Sequence, residues 1–237
     1  MQESDVSFGR GVGGGLGELG GGILDRVNLS AFGFDRAMEG TLEGTLYDFK
    51  RDKDGQALNV PSDGYEKVKY GARILRDFSR NFDQSKLDRK YLKSETKLYG
   101  AYFIISNREA TAAPRAFKAE GKMQPNLLCV VYKGTFRPTE SARIRLFGKG
   151  DDVLIVRVNG RTVLDASWNN DNYSDWRQPS SSKREDTENP QAYFGITQPG
   201  VTGTWFDLRE GQETTVEIAI AEIPGGLFGA YLLAEKQ

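Results

Sequence analysis

The chain of 237 residues has no histidine and a single cysteine, Cys129. Without an imidazole there is no Ser-His-Asp or Cys-His catalysis, no histidine general base, and no histidine-ligated zinc or iron. One thiol makes no intramolecular disulfide, no CxxC redox pair and no thiolate-rich metal site. Cys129 lies in the run Leu127-Leu128-Cys129-Val130-Val131, which predicts a buried strand position rather than a reactive thiol. No apolar run approaches the roughly 18 residues of a membrane-spanning helix. The opening MQESDVSFGRG shows neither the basic region nor the apolar region of a signal peptide. An excess of either charge is missing too: 32 Lys and Arg stand against 33 Asp and Glu, a net charge of -1. That balance argues against a general nucleic-acid binder and against a polybasic membrane clamp.

What is present suffices for a core. Hydrophobic residues make up 38% and aromatics 11%, and a chain of this length supports one large domain or two small ones. Residues 1–22 read as a flexible leader or tether. The stretch GRGVGGGLGELGGG (9–22) is mostly glycine, the residue that loses the most entropy on ordering, and no Gly-Lys-Ser/Thr follows to make it a phosphate loop. A single domain is expected over 23–237.

Within it, MEGTLEGTLYDF (38–49) reads as a strand with Leu42 and Leu46 on one face, and Asp52-Lys53-Asp54-Gly55 as a solvated turn. The spacing of Tyr65, Val68, Ile74, Leu75 and Phe78 predicts a helix over 63–80, with its basic residues on a solvated face, and a short helix is expected over 84–92. Strand patterns then dominate: 98–106, 126–136, 142–148, 152–158, 161–167, 204–208, 214–223 and 227–235. Asn159-Gly160 supplies the positive φ angles of a two-residue hairpin turn, which predicts Val156 opposite Val163 and Ile155 opposite Leu164. The fold class is mainly β, an antiparallel sandwich or barrel with one or two short helices inserted near residues 63–92.

Three features bear on chemistry. Asp151 and Asp152 are adjacent carboxylates at a strand end, which repel each other unless a cation or a basic group compensates; Ca²⁺ takes such oxygen ligands, and Lys149 is the alternative partner. The polar loop 168–200 gathers Trp168, Asn170, Asn172, Tyr173 and Trp176. Flat aromatic faces with planar amides suit a sugar, stacking on its C–H face and bonding its hydroxyls. A turn-rich loop anchored by its tryptophans has the same composition. Finally, Asp151, Asp152, Asp171 and Asp175 form a pool of acids, and a histidine-free hydrolase needs two carboxyls with separated pKa values.

The segment ARIRLFGKGDDVLIVRVNGRTVLDASW (142–168) resembles the core hairpin of the PA14 family, and YKGTFRPTESA before it resembles the approach to that hairpin. EGTLEGTLYDFKRDKDG (39–55), LYGAYFIISNREATAAPRAF (98–117), GDDVLIVRVNGRTVLD (150–165) and AEIPGGLFGAYLLAE (221–235) are also similar to uncharacterised secreted proteins of Verrucomicrobia and Planctomycetes. The PA14 resemblance implies a β-sandwich or barrel that often binds glycans. It implies further that Asp151 and Asp152 match an Asp-Asp pair, joined by a cis peptide, that holds Ca²⁺ against sugar hydroxyls in the adhesin branch. An asparagine completes that site, a part Asn170 or Asn172 would take here. The sequence departs in reading Asp-Asp-Val rather than Asp-Asp-Gly, and in many members the pair is structural.

Three readings follow. The first is an extracytoplasmic module that binds a glycan or glycoprotein with Ca²⁺ as its cofactor and no zinc, haem, nucleotide or nucleic acid. The second is an aspartic-type hydrolase of a glycoprotein such as mucin. The third is a structural subunit with a protein partner in a cell-envelope complex.

Overall fold

The computed structural model describes residues 29–167, 183–184, 194–196 and 200–237. The leader 1–22 and the start of the expected domain lie outside them. The described residues contain fifteen strands and three helices. Strands β1 (Leu29–Ser30), β2 (Gly33–Phe34) and β3 (Leu42–Asp52) precede helices α1 (Gly64–Ser79) and α2 (Gln84–Lys90). After them come β4 (Tyr91–Lys93), β5 (Leu98–Gly100), β6 (Ile104–Glu109), the short helix α3 (Ala112–Ala116) and β7 (Leu128–Phe136). Then follow β8 (Ala142–Asp151), β9 (Val153–Val158), β10 (Arg161–Asp165), β11 (Lys183–Arg184) and β12 (Val201–Thr202). The chain ends with β13 (Phe206–Leu208), β14 (Thr214–Glu222) and β15 (Leu227–Lys236).

These strands form two antiparallel sheets. The larger runs β1-β2-β5-β3-β7-β14-β9-β10, with β4 on β3; the smaller runs β11-β12-β8-β15-β6, with β13 on β8. The inner core lies between the sheets and draws alternate residues from each: Leu128, Val130 and Tyr132 from β7, Val216, Ile218 and Ile220 from β14, Leu154 and Val156 from β9, Phe228 and Ala230 from β15. The residues between them do not face water. Cys129 and Val131, Ala219 and Ala221, Val153 and Ile155 build a second core on the outer face of the larger sheet, under Val68, Leu75 and Phe78 of α1 and Leu87 of α2. Burial on both faces explains why these strands read as continuous apolar runs rather than alternating ones. Cys129 is fully buried, and burial pushes its thiol far above the usual range.

Several boundaries differ from expectation. Helix α1 begins where expected, because the Asp63 side chain accepts a hydrogen bond from the Glu66 backbone N–H (3.0 Å) and caps it. Tyr65 lies off its buried face and sits under Lys69 instead. The expected strand 98–106 is two strands in different sheets, β5 and β6, divided where the chain crosses the sandwich. Helix α3 has no clear signal, since it carries a proline and only one turn of small residues.

At the hairpin, Asn159 and Gly160 both have positive φ. A bulge after Thr162 places Leu164, not Val163, opposite Val156, and Asp165 opposite Ile155. The Val163 carbonyl accepts from the Thr204 backbone N–H (2.9 Å), and Gly203 allows that approach. The turn at Asp52–Gly55 is closed by its own side chain, with Asp52 Oδ1 accepting from the N–H groups of Asp54 and Gln56.

Candidate functional site

The Asp151–Asp152 pair is the corner at which the chain leaves the smaller sheet and enters the larger. Strand β8 ends at Asp151 and β9 begins at Val153, so Asp152 alone makes the crossing. The peptide between the two aspartates is cis. Gly150 is packed so closely on Val153 and Leu154 that a Cβ there would lie 2.4 Å from the Val153 carbonyl carbon, so only glycine fits the approach to the corner.

The two carboxyls have different surroundings. Asp152 is 7% exposed, and its Oδ2 accepts from the Ile223 backbone N–H (2.8 Å) just past the end of β14. Glu222, the last residue of β14, is buried beside it. Burial raises both, Asp152 to about 6 and Glu222 to about 9. The charge of Asp151 adds to the rise at Asp152, and the charge of Asp152 to the rise at Glu222. The contact between the two lowers Asp152 and raises Glu222, which favours the proton on Glu222. Asp165 nearby is also raised by burial to about 6, and its Oδ1 accepts from the Ser167 N–H (3.1 Å). Lys149, 3% exposed, donates to the Ser167 carbonyl (3.1 Å), and its charge draws down Asp151, Asp152 and Asp165. Burial, followed by the charge of Asp152 and the contact with its carboxyl, keeps the proton on Glu222.

Asp151 is only partly buried. It pairs in register with Gly229 of β15, whose neighbours Phe228 and Ala230 belong to the inner core, so Gly229 faces away from it. Asn107 of β6 lies beyond Gly229. A Cβ at Gly229 would meet the Asn107 Cα at 3.1 Å and its Oδ1 at 3.3 Å, and this missing side chain lets Asn107 lean over β15. Burial raises Asp151, and the amide of Asn107 followed by the charge of Lys149 works against that rise. Asn107 Nδ2 donates to the Gly195 carbonyl (3.3 Å) and its backbone N–H to the Phe194 carbonyl (2.8 Å). Asn107 Oδ1 is buried and accepts no hydrogen bond. The arrangement is a carboxylate, a planar amide with an unspent oxygen, and backbone carbonyls at the edge of the smaller sheet.

The other residues expected at the site, Trp168, Asn170, Asn172, Tyr173 and Trp176, lie outside the described residues, as do Asp171 and Asp175. Asn107 and Glu222 were not foreseen. Glu222 had a signal, since it continues the inward series Val216, Ile218, Ile220 and an acid at such a position needs a partner. Asn107 had none, because only strand pairing brings it to Asp151. Among the described residues, no three His, Cys, Asp or Glu side chains are grouped so as to hold a metal ion, and no helix is long and apolar enough to cross a membrane.

No family model and no curated protein matches the chain. Similar solved structures include the PA14 sugar-binding domain from an RTX adhesin, 15% identical over 83% of this chain and 90% of that one, with a TM-score of 0.44. The PA14 domain of the MpAFP antifreeze protein is 13% identical over 84% of this chain and 85% of that one, at 0.43. The Epithelial Adhesin 6 A domain from Candida glabrata, solved in complex with Galb1-3GlcNAc, is 13% identical over 83% and 79%, at 0.42.

Proposed function

We propose that this chain is a glycan-binding β module whose site is the sheet edge at Asp151 and Asn107. The observation that carries the reading is their juxtaposition across Gly229, with Asn107 Oδ1 buried and unbonded. A carboxylate beside a planar amide matches the alternating donors and acceptors of vicinal sugar hydroxyls. In this reading Trp168, Tyr173 and Trp176 supply stacking surface, and Asn170 and Asn172 supply hydrogen bonds.

The residues fit a calcium ion in chemistry, since Asp151 and Asn107 Oδ1 are hard oxygen donors with capacity left. Asp152 stands behind them with one oxygen already committed to Ile223. A bound Ca²⁺ would supply positive charge to Asp151 and open coordination positions for hydroxyl oxygens. So few charged ligands imply weak affinity, about 10⁻⁴–10⁻³ M, the range of extracellular calcium modules. The proposed setting is accordingly extracytoplasmic.

The test is thermal unfolding with and without Ca²⁺, followed by glycan-array binding in calcium and in EDTA. At tenfold excess over Kd, mass action adds about 1.4 kcal/mol, a rise of about 3–6 °C for a domain of this size. Asp151→Asn and Asn107→Ala should lose the rise and the array signal while staying folded. A wild-type protein that retains no glycan in either buffer would refute the module, and a calcium rise that survives Asp151→Asn would refute the site.

A further inference from the structure

A cavity of about 590 Å³ opens on another part of the molecule, between the first strands, β6 and α3. Its walls are apolar at Leu29, Phe32, Ile104 and Ala112, and two cations, Arg108 and Arg115, enter them. Among the described residues, no acidic one lines it. The two arginines are not equivalent. Arg115 is exposed, and its Nε pairs with Glu120 (3.3 Å). Arg108 is partly buried, and its Nε donates to the Ser106 carbonyl (2.9 Å). That bond fixes the guanidinium plane. Its two terminal nitrogens have no hydrogen-bond or ion-pair partner among the described residues.

We propose that this cavity is a second binding site, for a compact organic carboxylate carried on a ring-sized body. A pinned guanidinium edge matches a carboxylate in a two-pronged bond. Glu120 pairs with Arg115, so among the described residues Arg108 is the cavity's one cation without a counter-charge, and a monoanion balances it where a phosphate dianion would leave a charge over. The open, mixed walls, apolar at Leu29, Phe32 and Ile104, accept a ligand body that is itself partly polar, and the volume lies in the range of small-molecule sites. The ligand class follows as an acidic sugar of the hexuronic or sialic type. The sugar part of that assignment rests on the glycan-binding reading; the carboxylate part rests on Arg108 alone.

The test uses the whole chain and saturation-transfer NMR with glucuronate, N-acetylglucosamine and benzoate as probes, in calcium and in EDTA. Glucuronate should bind in both buffers and equally well to Asp151→Asn, which separates this cavity from the sheet edge. N-acetylglucosamine, which lacks the carboxylate, should bind at least about tenfold more weakly. Arg108→Gln should weaken glucuronate about ten- to a hundredfold, the worth of a charged hydrogen bond. Arg108→Lys keeps the charge without the fork and should recover only part of the affinity. Ala112→Phe should block the cavity without touching the charge, which guards against an Arg108 variant that fails to fold. Glucuronate binding that is absent, or indifferent to both Arg108→Gln and Ala112→Phe, overturns the site. Benzoate bound as tightly as glucuronate, with the same dependence on Arg108, overturns the sugar assignment and keeps the carboxylate.

Discussion

At the scale of single residues the molecule's least ordinary feature is the carboxyl pair Asp152 and Glu222, buried at the corner with Lys149, Asp151 and Asp165 around it. Both pKa values are raised on folding, so the folded chain binds protons more tightly than the unfolded chain over this range. Stability from the pair is therefore full below about pH 4, where both states are protonated. It is lost as pH rises through the folded values, about 6 for Asp152 and about 9 for Glu222. In calcium-free buffer the melting temperature should fall steadily between pH 5 and pH 9. Glu222→Gln keeps the shape and removes the ionisation. It should melt about 2–4 °C higher than wild type at pH 9, a difference of about 1 kcal/mol, and should show a flatter pH profile. A Gln variant with an unchanged slope would mean that Glu222 is not the group that titrates.

At the scale of elements, the strands were legible because they are short runs rich in β-branched and aromatic residues between turn residues, and the helical insertion because its apolar residues fall on one stripe capped by Asp63. Corners and bulges were not legible. Nothing in Thr162-Val163-Leu164 announces a bulge, since the cause is the Thr204 N–H that claims the Val163 carbonyl from the far end of the chain. The site divides the same way. Asp151 and Asp152 stand out as adjacent acids at a strand end, whereas Asn107 becomes part of the site only through the β6–β15–β8 pairing.

Register also creates a buried ion cluster outside the site. On adjacent strands Glu217 lies opposite both Arg157 and Lys133, and it pairs with Arg157 at 3.1 Å and Lys133 at 2.8 Å. Arg157 and Glu217 are buried beside Phe82, while the Lys133 side chain is 50% exposed. Glu217→Gln takes the counter-charge from a buried guanidinium that keeps its bond to the Gly160 carbonyl, and should cost about 3–5 kcal/mol. Lys133→Ala removes a solvated partner and should cost about 1 kcal/mol or less. Urea midpoints check both, and equal small losses would show that the cluster is solvated in solution.

At the scale of the whole molecule, the larger sheet is shared between two cores. Its central strands place one residue of each adjacent pair in the inner core and the other under the helices: Val130 and Val131 in β7, Leu154 and Ile155 in β9, Ile220 and Ala221 in β14. Helix α1 and helix α2 therefore cannot leave without exposing the outer faces of the strands that carry the inner core. Coupling of that kind makes one cooperative unit out of the sandwich and its helical layer. Leu75 of α1 and Leu154 of β9 are both buried, one in each core. Leu75→Ala and Leu154→Ala should each cost about 2–5 kcal/mol. Each should shift a single transition, seen at the same urea concentration by far-UV and near-UV circular dichroism and with an unchanged slope. An early, separate loss of helical signal in Leu75→Ala would show instead that the helices are a detachable layer on a sandwich that stands without them.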